Sequence, residues 1–127
     1  MGHGTFAAAI NCMDGRAQLP VIDYLKRRLG VDHVDMITEA GPVRALSENR
    51  DGDVLDSIRR RVLVSTGKHR SRHLAVVAHH DCAGNPVSEA EQLRQLARAL
   101  EVLAAWGLGV ELMGLWLDGD WRVTEVR

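Results

Sequence analysis

The sequence predicts an α/β fold: a mainly parallel sheet with helices on its faces and an antiparallel strand at its C-terminal edge. Three observations point there. Short apolar runs alternate along the chain with longer segments whose apolar residues recur at helical spacing. Gly and Pro fall at the joins between them. The last run alternates apolar and polar residues after an Asp-Gly-Asp turn, as an edge strand does. Strands separated by helices pair in parallel through right-handed crossovers. A strand order of about 2-1-3-4 meets that rule. With 127 residues, the chain is expected to form a single domain over 1–127.

The elements follow in order. Residues 6–11 (FAAAIN) form the first strand. Over 19–29, Val21, Ile22, Leu25 and Leu29 lie at helical spacing, Pro20 suits a first turn and Gly30 is a stop. Residues 33–38 form the second strand. The stretch 39–53 is polar and holds Gly41, Pro42 and Gly52, so it is expected mainly as loop, with room for a helical turn. Residues 54–66 form a helix that turns Val54, Leu55, Ile58, Val62 and Ser65 inward. Residues 73–78 (HLAVVA) are the third strand, apolar enough to be covered on both faces. Ser88-Glu89-Ala90-Glu91 is a capping box, in which the hydroxyl and the Glu side chain each take a free backbone amide. The helix it opens runs to about Trp106, where Gly107 ends it. Residues 110–117 form the fourth strand and 121–126 the fifth, across the turn at Asp118-Gly119-Asp120. Met1-Gly2-His3-Gly4 is expected to be a frayed end without function.

Composition excludes several classes of function. A net charge of -1 gives no general attraction to nucleic acid or anionic membranes. No apolar stretch is long enough to span a bilayer, and no basic segment leads into an apolar one as in a secretory signal. Two cysteines are too few for a disulfide scaffold, so a reduced, cytoplasmic setting is expected, where thiols are free to bind metal. The basic run Arg59-Arg60-Arg61, with Lys68, Arg70 and Arg72, reads as a solvated face, because acids intersperse it and aromatics are scarce. No Gly-rich phosphate loop is present. The absence of Cys-x-x-Cys argues against a thiol redox module. Trp106, Trp116 and Trp121 are expected in the core and in dimer contacts.

Both cysteines lie in two short motifs. Cys12-Met13-Asp14-Gly15-Arg16 follows the first strand, and His79-His80-Asp81-Cys82 follows the third. In order 2-1-3-4 these strands are neighbours at the point where the order reverses, where ligands gather beyond the strands' C-terminal ends. Two thiolates and a neutral imidazole balance the charge of Zn²⁺ and leave its fourth position open. Cys12, His79 and Cys82 are therefore the candidate metal ligands. Asp14 and Arg16 are the candidate catalytic pair: a guanidinium holds a carboxylate by two points, keeping it ionised and aimed at zinc-bound hydroxide. With that contact broken, Asp14 is free to take the fourth position itself and close the site. His80 is expected to be solvated and Asp81 structural. His33, His69 and His73 have no ligand spacing.

Cys-x-Asp-x-Arg followed far downstream by His-x-x-Cys resembles the signature of β-class carbonic anhydrases. The chain is also similar to that family around Met36-Ile37-Thr38-Glu39-Ala40-Gly41 and in its terminal hairpin. It departs at Thr38-Glu39, where the family usually has Arg-Asn, and at Ala83, where it usually has Gly. The resemblance implies zinc on Cys12, His79 and Cys82, and an Asp14–Arg16 pair that positions the hydroxide attacking CO2. It implies a lyase that interconverts CO2 and bicarbonate, acting as a homodimer or higher homo-oligomer with sites near subunit contacts. Gly41 and Gly84 are candidates for letting backbone approach the substrate. Two other readings keep the metal: hydrolysis of another small electrophile such as COS or CS2, and a zinc-binding or regulatory protein without catalysis.

Overall fold

The two runs richest in small and branched apolar residues become inner strands of one sheet. Phe6–Cys12 (β1) and His73–His79 (β3) are each buried at every position after the first. Such strands need cover on both faces, and the chain supplies it with helices. The structure, a computed structural model, describes residues 4–127. Met1, Gly2 and His3, expected as part of a frayed end, lie outside the described residues.

The sheet has five strands in the order β2-β1-β3-β4-β5. His33–Glu39 (β2) pairs in parallel with β1, β1 with β3, and β3 with Glu111–Leu117 (β4). Val123–Glu125 (β5) closes the far edge antiparallel to β4. The expected order and the antiparallel edge are both present. β1, β2 and β3 each run one residue past their expected end, so Cys12 and His79 terminate their strands rather than follow them.

Alternation along the strands divides the core in two. Ala8, Ile10, Leu74, Val76, Ala78 and Trp116 face three helices, Pro42–Glu48 (α2), Asp53–Gly67 (α3) and Glu89–Ala104 (α4). Ala9, Ala75, Val77, Met113, Leu115 and Leu117 face Gln18–Leu29 (α1), which buries Val21 and Leu25. Among the described residues no helix is long and apolar enough to cross a membrane.

Four details correct the sequence reading. The stretch expected as loop holds α2, a full seven-residue helix. Pro42 starts it, and Val43 and Leu46 are buried one turn apart, a pattern too short for periodicity to register. Val54 is 47% exposed; the inward stripe of α3 runs through Leu55, Ile58, Val62 and Ser65 at 3-4-3 spacing, with Val54 at its margin. Only half of the capping box forms: the Ser88 hydroxyl accepts from the Glu91 amide at 3.1 Å, while the Glu91 carboxylate accepts from Arg94 and Gln95. The fifth strand is shorter than expected. Trp121 adopts φ 61° and belongs to the preceding turn, where the Asp118 carboxylate accepts from the amides of Asp120 and Arg122.

Candidate metal centre

Parallel pairing of β1 with β3 sets Cys12 beside His79, and a tight turn after β3 brings Cys82 back to both. The turn is possible because Asp81 takes a left-handed backbone, φ 57°, which Asp tolerates better than most residues. Cys12, His79 and Cys82 are all buried, and their ligand atoms lie within 4.8 Å of one another.

The imidazole is oriented for coordination. His79 Nδ1 donates to the His80 carbonyl at 2.7 Å. That fixes the tautomer and leaves Nε2 with a free lone pair. Nε2 is buried and has no hydrogen-bond partner among the described residues. A buried, unpartnered acceptor is costly unless something occupies it. The two Sγ atoms stand 3.8 Å apart. A tetrahedral zinc with Zn–S bonds of about 2.3 Å sets its sulfurs about 3.8 Å apart, so the donors present fit that ion.

The thiols are unequal. Burial pushes Cys12 up, but the neighbouring imidazole and the backbone of Gly41 and Asp14 outweigh it and bring the thiol down to about 7. Burial and the adjacent Cys12 push Cys82 up to about 11. Burial disfavours the charged form of His79, yet Cys12 and the His80 carbonyl raise it overall. One thiolate is thus ready near neutral pH. The other keeps its proton until an ion displaces it.

Beside this cluster, Asp14 and Arg16 meet at two points. Arg16 Nη2 lies 2.6 Å from Asp14 Oδ2, and Nε lies 3.0 Å from Oδ1. The same carboxylate accepts the Arg16 amide at 2.9 Å, capping the short 3-10 turn Gly15–Ala17. Arg16 holds the Asp14 carboxyl down at about 2. Asp14 stands outside the three-ligand group, turned to the guanidinium. Asp81 supports the arginine: its carboxylate and carbonyl oxygens lie 3.3 and 3.2 Å from Arg16 Nη1 and Nη2.

Gly41 and Gly84 meet each other. A Cβ on Gly41 would lie 2.7 Å from the Gly84 carbonyl oxygen, and one on Gly84 would lie 2.7 Å from the Ala40 carbonyl carbon. His80 is exposed, as expected. His69 pairs with Asp35 at 2.6 Å and His73 with Glu111 at 3.1 Å, both away from the cluster.

Four supporting residues carry no site role in the sequence reading, which expects Trp121 in the core or a dimer contact. Asn11 accepts from the Cys12 amide at 2.9 Å and donates to the Ala17 carbonyl at 3.0 Å. Gln18 donates to the carbonyls of Cys12 and Asp14 at 2.7 and 2.9 Å. Gln92 donates to the His79 carbonyl at 2.7 Å. Trp121 lies under the Arg16 guanidinium, 4.5 Å from Cζ to ring centroid, and 6.2 Å from the His79 ring. Polar residues at apolar positions were a usable signal for two of them. Asn11 sits in a buried strand, and Gln92 shares a helical stripe with Leu96, Ala99 and Leu103.

A 2-1-3-4 parallel sheet with a cysteine–histidine–cysteine cluster at its reversal defines an α/β protein built around a candidate metal centre. Residues 2–127 match the family model described as "Putative carbonic anhydrase", and the chain belongs to that family. No curated protein sequence matches it. Among solved structures it is similar to β-carbonic anhydrase isoform I of Trichomonas vaginalis, at 16% identity and TM-score 0.59 over 94% of this chain and 81% of that one. The carbonic anhydrase of Glaciozyma antarctica matches at 15% identity and TM-score 0.59, over 94% and 81%. A β-carbonic anhydrase of Sordaria macrospora, described as tetrameric, matches at 13% identity and TM-score 0.55, over 94% and 79%. At these identities the likeness is one of fold.

Proposed function

We propose that the protein is a zinc-dependent carbonic anhydrase that catalyses CO2 + H2O ⇌ HCO3⁻ + H⁺. The observation that carries the reading is a buried cluster in which a ring nitrogen of His79 and two thiol sulfurs lie within 4.8 Å of one another, with His79 Nε2 unpartnered. Cys12, His79 and Cys82 would hold the ion. Zn²⁺ bound there supplies Lewis acidity, which lowers the pKa of water at an open position.

The chain's own groups do the rest. Arg16 keeps Asp14 ionised and aimed, and Asp14 accepts a hydrogen bond from the attacking oxygen. That leaves the oxygen's lone pair for the carbon. The loops of Gly41 and Gly84 pack against each other, so both glycines serve that close approach. Met13, 65% exposed, and Leu19, 69% exposed, flank the Asp14–Arg16 pair. A homodimer or larger homo-oligomer is part of this reading, since the fold neighbour from Sordaria macrospora is described as tetrameric. The proposed location is the cytoplasm, where reduced thiols remain available to the metal.

Stopped-flow CO2 hydration on zinc-loaded protein tests the reading. Zinc-dependent turnover is expected. One zinc per chain without turnover, while COS or CS2 is hydrolysed, moves the assignment to that electrophile. No turnover on any of them leaves a binding protein.

A further inference from the structure

Four non-glycine residues among those described have a left-handed backbone: Asn49, Arg70, Asp81 and Trp121. Asn49 ends α2. Asp81 and Trp121 both touch one side chain, that of Arg16. A bulky aromatic residue at positive φ is a real outlier, and such strain persists only where the surroundings over-determine it.

The surroundings of Trp121 do so. Its amide donates to the Asp118 carbonyl at 2.9 Å, and the Asp118 amide donates to the Arg122 carbonyl at 3.1 Å. The Asp118 carboxylate takes the amides on either side of Trp121, at 2.9 and 3.0 Å. The indole packs against the core cluster that includes Val77, Leu115 and Leu117, a contact that aromatic residues of a hairpin also make from extended backbone. The left-handed turn in addition presents the indole face to a guanidinium.

Arg16 has need of such a support. Its side chain is 46% exposed, and exposed ion pairs hold their geometry poorly against side-chain entropy. Two-point contact with Asp14 fixes the plane of the fork only as long as the long side chain stays put. An aromatic face stacks on the flat guanidinium and excludes water from it. Asp81 closes the remaining edge. The indole also lies beside the His79 ring, so one side chain spans both halves of the site.

We propose that Trp121 is a positioning residue: held left-handed by the Asp118 turn, it clamps Arg16, and through Arg16 it fixes the Asp14 carboxylate beside the cysteine–histidine cluster. This rests on the carbonic anhydrase reading only for what Asp14 then does.

The test compares wild type with Trp121→Leu, which keeps apolar bulk, and Trp121→Phe, which keeps a smaller face. In zinc-loaded protein, the Arg16 Nε–H signal, assigned by its loss in Arg16→Lys, should be shifted upfield by the ring in wild type. In Trp121→Leu the shift should vanish and proton exchange should quicken about fivefold, the weight of one exposed cation–π contact. Trp121→Phe should lie between. Zinc content should stay at wild type, and kcat should fall with KM nearly unchanged, partly rescued by Phe. If Trp121→Leu does not accumulate, Asp118→Ala releases the turn and should move the same signal the same way. An Arg16 signal unmoved by these changes overturns the proposal, as does a moved signal with full kcat in an active enzyme. A wild type that turns over no CO2 but shows the clamp overturns the hydration reading and leaves the positioning role standing.

Discussion

Gly41 and Gly84 lie so close that a Cβ on the first would stand 2.7 Å from the carbonyl oxygen of the second. The loop after β2 and the loop that carries Cys82 thus touch through bare backbone. Gly84→Ala should force them apart and destabilise the fold by about 1–3 kcal/mol. Urea denaturation of the variant checks this, and a parallel zinc titration should show weaker binding, because Cys82 moves with its loop.

Cys12→Ser should abolish zinc retention and CO2 turnover together. The alcohol keeps size but is a poor ligand beside a thiolate. Metal analysis after dialysis against a weak chelator, run with the stopped-flow assay, gives both readouts. A variant that keeps stoichiometric zinc removes Cys12 from the ligand set.

Zinc affinity should climb with pH. With Cys12 near 7 and Cys82 near 11 in the metal-free protein, Cys82 still holds its proton between those values. Binding there displaces at least one proton, so affinity should rise about tenfold or more per pH unit, and more steeply toward low pH, where Cys12 and the raised His79 also hold protons. Competition with a chelator of known affinity, at several pH values, measures the slope.

Arg16→Met should return the Asp14 carboxyl from about 2 toward its ordinary 3.8. A depressed carboxyl stabilises the fold above its unfolded pKa and loses that contribution as pH falls through the folded value. The stability difference between wild type and variant should therefore be complete above about pH 4 and vanish near pH 2. A carbon-13 titration of the Asp14 carboxyl, with acid denaturation alongside, tests both parts.

Gln92→Met should cost about 1–3 kcal/mol, because it strips the donor from the buried His79 carbonyl while keeping side-chain volume. Thermal denaturation of zinc-free protein isolates this effect from metal binding.

Much of this architecture was legible in the residues. Alternating apolar runs located all five strands, and the two cysteine motifs fell on neighbouring strands as the crossover rule requires. Helix α2 escaped because seven residues hold barely two turns, and its polar faces masked Val43 and Leu46. The candidate metal cluster and the Asp14–Arg16 ion pair carry a local spacing, so their clustering is legible in sequence. Gln18 and Trp121 could not, because their roles depend on where separate loops meet in space. Nothing in the run Asp118-Gly119-Asp120-Trp121 foretells that the indole turns back onto a side chain more than a hundred residues earlier. Alternation places Trp121 in a strand, because that pattern records faces but not a left-handed bend.

Cys12 and Cys82 are 70 positions apart in the chain, and an ion gripping both pins that long excursion shut. The unfolded polypeptide would lose loop freedom worth about 4 kcal/mol by the reckoning used for cross-links of that span. Two strands, three helices and both halves of the site lie inside the pinned segment. Heat tolerance should therefore report occupancy of the centre directly, even in a variant that no longer turns over substrate.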